Sequence, residues 1–279
     1  MTWMLSESLA EYTAAASGFL AEHPVRNTVL LTIAHRLSNA TDDAPAPRFG
    51  WWRPAEGGPV QGAFVQTRPQ PMQLGLMPPQ AAVELAARLA GEPLTGVSGD
   101  AAATEPFAEA WVRATGGGVR VRQRMCLYRL GTLAVPQVSG RLRPADASDP
   151  ADRALATDWF KAFDAEVGSA MPDAARMAER RLAEGAVHFW EDGGRPVALG
   201  GVSSLLAGMV RIGPVYTPPD LRGRGYGGAV TAGVSIEGLA RGADDVLLHA
   251  DLANPTSNSV YRRLGYLPVG RTAELEFTA

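Results

Sequence analysis

Between Val210 and Gly228 the chain runs Val210-Arg211-Ile212-Gly213-Pro214-Val215-Tyr216-Thr217-Pro218-Pro219-Asp220-Leu221-Arg222-Gly223-Arg224-Gly225-Tyr226-Gly227-Gly228. A β-branched run is stopped by two prolines. A turn with four glycines in the six positions Gly223–Gly228 then leads into the proline-free segment Ala229–Arg241 and Gly242. Glycines spaced this way let backbone N–H groups crowd around one ligand, and a helix starting there aims its unbonded amides and positive end at the same point. Arg222 and Arg224 add donors suited to phosphate oxygens. The chemistry on offer is the grip of a pyrophosphate. A P-loop would need a lysine after its glycines, and a dinucleotide fingerprint would need an acid about 20 residues on. Neither template fits.

A second set of residues follows the short apolar stretch Asp245–Ala250. In Asp251–Tyr266, Asn254 suits a helix N-cap, Pro255 the first helical position and Gly265 the residue beyond the C-terminus. Asn254, Asn258 and Tyr261 are spaced i, i+4 and i+7, on one side of that helix. Tyr261 brings a phenol of ordinary pKa near 10, able to give a proton to a departing anion and recover it from water.

Arg222–Gly227 reads R-x-x-G-x-G, and Asn254–Tyr266 reads N-x-x-[small]-x-x-x-Y-x-x-x-G-[FY], with Ser257 small and Tyr266 aromatic. Together, in this order, they resemble the two signatures of the GNAT (Gcn5-related N-acetyltransferase) superfamily. The resemblance implies acetyl-CoA as cofactor, bound by Arg222, Gly223, Arg224, Gly225, Tyr226, Gly227 and Gly228 with Asn254 and Asn258. It implies that main-chain N–H groups of Val215, Tyr216 and Thr217 polarise the thioester carbonyl where their strand splays from its neighbour, and that Tyr261 is the general acid. It also brings Trp159, Phe163 and Glu166 toward an acceptor pocket. Glu166, Asp164, His188, His249 and Asp251 are all candidates for a base. No metal ligand set is expected.

The rest of the chain must position these residues. Its 279 residues suffice for two domains, and 46% hydrophobic with 20% charged residues describes an ordinary globular protein. A net charge of −3 without blocks of like charge argues against a nucleic-acid partner. The single cysteine, Cys126, rules out an internal disulfide and fits a reducing compartment. No signal peptide and no membrane span is expected, so the location is read as cytoplasmic.

In the first half, Ser6–Glu22 and Asn27–Ala40 are expected to be helices. Arg48–Trp52 and Gln61–Gln66 form a hairpin, Pro71–Met77 a strand, Pro79–Ala90 a helix, Leu94–Ser98 a strand, Pro106–Thr115 a helix and Val119–Leu130 a strand. The second half has Gly140–Pro144 as a strand, Asp152–Val167 and Asp173–Glu184 as helices, and strands within Phe189–Gly200 and Val202–Val215. Val187–Gly201 echoes Trp51–Ala63, and the order of elements repeats after each. The expected architecture is α/β, a mixed, mostly antiparallel sheet flanked by helices in two tandem copies: a degenerate N-terminal copy over 1–135 and the acetyltransferase domain over 136–279. The expected reaction is direct acetyl transfer to a primary amine of a small molecule or peptide. A sensor that binds acetyl-CoA without turnover is the alternative.

Overall fold

The structure is a computed structural model describing residues 2–39, 46–168 and 173–278. Its contacts divide the chain into two units. One gathers residues 1–127, 251–253 and 269–279, and the other residues 128–250 and 254–268.

The first unit runs β1 (Thr2–Ser6), α1 (Leu9–Glu22), α2 (Thr28–Ser38), β2 (Arg48–Arg53), β3 (Gly62–Gln66), β4 (Met72–Leu74), α3 (Pro79–Leu89), β5 (Gly96–Asp100), α4 (Ala101–Thr115) and most of β6 (Gly118–Leu130). Strands β1 to β4 pair antiparallel in sequence order, and β4 pairs parallel with β5. Alternation along β3 builds two cores: Phe64 packs with Leu85 and Phe107 of α3 and α4, while Ala63 and Val65 pack with Tyr12, Leu20 and Leu30 of α1 and α2.

The second unit repeats the plan with β7 (Arg141–Pro144), α5 (Pro150–Val167), α6 (Ala174–Ala183), β8 (Val187–Asp192), β9 (Arg195–Val202), β10 (Met209–Tyr216), α7 (Tyr226–Ala240), β11 (Asp245–Asp251), α8 (Pro255–Arg263) and the start of β12 (Tyr266–Thr278). Strands β7 to β10 are antiparallel, and β10 is parallel to β11. Phe160 and Leu182 of α5 and α6 pack on Phe189 and Leu199, whereas Tyr226 and Val230 of α7 pack on Val197 and Ala198. The end of β12 returns to the first unit, where Thr272–Glu276 pairs antiparallel with Asp100–Gly96.

The expected α/β class with mixed, mostly antiparallel sheets is what the chain adopts, with local differences. Thr2–Ser6 is a strand, so α1 begins only at Leu9, capped by Ser8 Oγ accepting from the Glu11 N–H. Helix α4 starts at Ala101 rather than Pro106, because Asp100 caps it by accepting from the Ala102 N–H; the proline sits inside the helix. The strand expected over Pro71–Met77 shortens to Met72–Leu74. Ala40, expected to end the second helix, lies outside the described residues.

At the C-terminus of α8, Gly265 adopts φ +94°, and a Cβ there would stand 1.9 Å from the Thr132 carbonyl oxygen. The Gly131 N–H donates to Gly265 O at 2.9 Å, and the Ala134 N–H donates to Leu264 O at 3.1 Å, so residues 131–134 lie directly against this turn. Gly265→Ala is therefore expected to lower unfolding free energy by about 2–4 kcal/mol, combining left-handed strain with a backbone clash, as read from urea melts.

Candidate active site

Three elements of the second unit converge on one place. The first is the end of β10. Ile212 is opposite Val202 of β9, but Val215 is opposite Gly200, so β10 carries one extra residue there as a bulge. Pairing with β11 covers only Met209–Ile212 against Asp245–Leu248, while pairing with β9 continues to Tyr216. The two parallel strands thus part after Ile212, and the stretch Gly213–Thr217 has no ladder partner on that edge. Pro214, lacking an N–H, suits such an edge.

The second element is the start of α7. Pro218 ends the strand, Pro219–Leu221 makes one 3-10 turn, and Gly223 and Gly225 take φ +78° and +86°. Gly225 is the N-cap and has no side chain to cap with; the first intrahelical bond runs from the Ala229 N–H to Gly225 O at 3.0 Å. The amides of Tyr226, Gly227 and Gly228 lie before that bond. The other helices of this unit, α5, α6 and α8, are capped by Asp149, Asp173 and Asn254. Helix α7 alone among them leaves its N-terminus uncapped, which concentrates N–H donors and positive dipole on an exposed glycine turn.

The third element is α8. A Cβ on Gly227 would lie 3.4 Å from Thr217 Oγ1, and one on Gly228 3.6 Å from Val260 Cγ1. The glycines let the end of β10, the first turn of α7 and α8 approach one another. Tyr261, next to Val260, is half-buried, its ring 6.4 Å from that of Tyr128 and 6.2 Å from that of Tyr266. Burial pushes its phenol up to about 12, so it stays protonated at neutral pH.

Side chains expected to touch a ligand have other tasks. Arg222 Nη2 donates to both carboxylate oxygens of Glu166 at 2.6 and 2.7 Å, and its Nε donates to Thr217 O at 2.9 Å. The guanidinium therefore ties the glycine turn to α5 and β10 instead of standing open to phosphate, and Glu166 is engaged as its partner. Asn258 is buried; its Oδ1 accepts from the Tyr128 hydroxyl at 2.9 Å and its Nδ2 donates to Asn254 O at 2.7 Å. Asn254 caps α8 by accepting from the Ser257 N–H at 3.0 Å. Arg224 is exposed and reaches Asp220 O at 3.5 Å. The Tyr226 hydroxyl donates to Asp192 at 2.6 Å, and Ser139 Oγ donates to the same oxygen; only the Tyr226 amide is left for a ligand.

Trp159 and Phe163 pack on the core of Phe160, Phe189 and Tyr216, with Trp159 edge-on to Phe189 at 5.7 Å. Among the candidate bases, His188 is buried and held below its ordinary pKa by desolvation, and Asp251 accepts from the Ala253 N–H in its own turn. Asp164 lies on α5. His249, on β11 just past the point where β10 leaves it, is pushed down to about 4 by burial and then by Arg211.

One contact was not legible beforehand. A Cβ on Gly225 would lie 2.9 Å from Val138 Cγ2, so the segment before β7 packs over the glycine turn. Among the described residues, no group of three or more His, Cys, Asp or Glu side chains is placed to hold a metal, and no helix is long and apolar enough to cross a membrane.

Likeness to solved structures agrees with this geometry. A GNAT-family acetyltransferase from Colwellia psychrerythraea superposes with a TM-score of 0.60 at 12% identity, over 100% of each chain. A GCN5-related N-acetyltransferase from Sphaerobacter thermophilus gives 0.60 at 16%, over 99% of this chain and 95% of that one. A tandem GNAT protein from the clavulanic acid biosynthesis pathway gives 0.57 at 14%, over 99% and 98%. The chain has the GNAT fold. Residues 200–273, which contain β10, the glycine turn, α7 and α8, match the family described as FR47-like protein. No curated protein matches the sequence.

His249 makes stability depend on pH. Its folded pKa of about 4 lies below the ordinary 6.5, so the unfolded chain binds a proton that the fold refuses. The contribution is present above pH 6.5 and is lost as pH falls toward 4, by up to about 3 kcal/mol. His249→Asn should flatten this acid limb in melting temperatures measured against pH.

Proposed function

We propose that the protein is an acetyl-CoA-dependent N-acetyltransferase that moves an acetyl group directly to a primary amine of a small molecule or peptide, with its site in residues 136–279. The observation that carries this reading is the uncapped start of α7 beside the parting of β10 and β11. An anion needs the first, and a thioester carbonyl needs the second.

The cofactor fits the residues present. Amides of Tyr226, Gly227 and Gly228, with the left-handed turns at Gly223 and Gly225, suit a pyrophosphate that side chains at those positions would exclude. Arg224 adds an exposed cation, and Asn254 stands at the start of α8. When bound, acetyl-CoA supplies an activated acyl group and a thiolate leaving group. Along Val215–Thr217, main-chain N–H groups that face the edge left open by β11 are donors for a carbonyl that gains negative charge during attack.

Tyr261 is the proton donor to the leaving sulfur. A phenol near pKa 12 is a weak acid, yet it is fully protonated, and a thiolate forming beside it in a half-buried site draws the proton. With Glu166 paired to Arg222 and His249 held neutral, a free amine is the species that attacks, or one deprotonated through water.

We also infer that residues 1–135 are a degenerate copy of the acetyltransferase domain at 136–279. The element order of the two halves supports it, as does the start of α3, the counterpart of α7. There Pro79 has no N–H, the Ala81 N–H is consumed by Pro78 O at 2.9 Å, and no glycine turn precedes the helix.

Tyr261→Phe should lower kcat by about 10²-fold or more, with acetyl-CoA affinity within about threefold of the parent; unchanged turnover would remove the phenol from the mechanism. Gly225→Val, which strains φ +86° and meets Val138, should abolish acetyl-CoA binding by calorimetry. Thiol release assayed over a panel of amines separates the enzyme from a sensor. A sensor would bind acetyl-CoA and release no thiol with any amine.

A further inference from the structure

Arg211 is the one charged residue in the strand Met209–Tyr216, and it lies immediately before Ile212, the last residue of β10 with a partner in β11. The Val210 and Val246 side chains lie 2.6 and 3.7 Å from a Cβ placed on Gly238 of α7. Alternation along these strands therefore turns Arg211, Leu247 and His249 to the opposite face of the sheet, the face that carries α5 and α6. Arg211 is half-buried, and the charge of Arg181 on α6 bears on it.

Several arginines on the strands and loops around it have acids, while Arg224 stands exposed and reaches the Asp220 carbonyl. Arg143 pairs with Asp152 and Glu191, Arg141 with Glu191, Arg222 with Glu166, Arg129 with Asp245 and Arg241 with Glu237. The Arg211 guanidinium makes no hydrogen bond and no ion pair among the described residues. Its backbone is satisfied by Ser203, through both the Arg211 N–H and its carbonyl. Burial and then the neighbouring Arg181 hold its pKa down to about 10. Arg181 is itself half-buried and lowered by burial, offset in part by the charge of Glu184, which pairs with Arg180. His249, beside them and neutral, adds no charge but keeps hydrogen-bonding capacity. A half-buried cation without a counter-ion is costly, and the cost is relieved if an anion arrives with the substrate.

We propose that the acceptor amine carries an anionic group, a carboxylate or a phosphate monoester, which the Arg211 guanidinium receives while the amine enters the gap between β10 and β11. The proposal rests on the acetyl-transfer reading for the role of the amine. The anion site itself rests on the unpaired arginine at the head of the gap. Arg181 strengthens the positive field from α6. The fork of Arg211 suits either oxyanion in two-point contact, and a neutral amine of the same shape would leave the guanidinium unpaired.

The test uses the full chain saturated with CoA and matched primary amines. Glycine, β-alanine, phenylalanine and O-phosphoethanolamine are set beside glycinamide, β-alaninamide, phenylalaninamide and ethanolamine, with binding read by calorimetry. At least one anionic member should bind about tenfold or more tighter than its neutral match, and the carboxylate and phosphate arms identify which anion is preferred. Arg211→Gln should erase the preference and Arg211→Lys retain part of it. Arg211→Gln should also melt at or above the parent temperature, since it removes an uncompensated charge. Equal binding within every pair, no binding by any anionic member, a preference that survives Arg211→Gln, or a melting temperature several degrees lower would each overturn the proposal. Thiol release is measured in parallel with acetyl-CoA. Release without anion preference overturns the proposal and leaves acetyl transfer standing. Anion preference without release keeps the anion site and removes the acetyl-transfer reading.

Discussion

The second unit is organised around polar backbone that its own protein does not satisfy. A parallel pair of strands normally stays zipped along its length, because each edge amide or carbonyl left unpaired in a partly buried place is costly. Here the extra residue between Ile212 and Val215 keeps β10 on β9 and takes it off β11. The opened edge points to the same region as the uncapped turn of α7. These two deficits set side by side are what the proposed cofactor site rests on, since one extended ligand with a diphosphate at one end and a carbonyl at the other would relieve both.

The surrounding contacts hold that arrangement in register without filling it. Glu166 clamps Arg222, which in turn holds the Thr217 carbonyl, so the loop after β10 is braced from α5. Asp192, at the β8–β9 turn, collects the hydroxyls of Tyr226 and Ser139 and anchors the first residue of α7 from the other side. Exposed ion pairs of the Arg222 type contribute little to folding, about 0–1 kcal/mol. Their value lies in fixing where the glycine turn sits.

Much of this was legible in the sequence because the residues responsible have few alternatives. Two prolines and four glycines within Pro218–Gly228 leave the backbone little choice, and Asn254, Pro255 and Gly265 each occupy the helix-end position their chemistry favours. The opening strand Thr2–Ser6 escaped because five residues without flanking turn signals carry little periodicity, and its partner β2 lies far along the chain. Pro106 is a favourable first helical residue, but the side-chain cap at Asp100 outweighs it and the helix starts earlier. Side-chain partners were the least accessible. Nothing local to Arg222 announces Glu166, 56 positions earlier, and nothing local to Asn258 announces Tyr128, 130 positions earlier. Arg211 did carry a local signal, an isolated cation in an apolar strand. Its meaning depends on the absence of a carboxylate across the fold, which no linear pattern contains.

The exchange of strand ends between the two units has a consequence for how the chain can be divided. Residues 269–279 complete the unit built mainly from the first 127 residues, while residues from 128 onward belong to the other. A gene cut at the midpoint would yield an N-terminal fragment whose β5 edge is bare and sticky, and a C-terminal fragment trailing a strand with nothing to pair against. The first unit is therefore completed by residues that follow the whole of the second in the chain, and neither can be cut free without breaking a strand pairing.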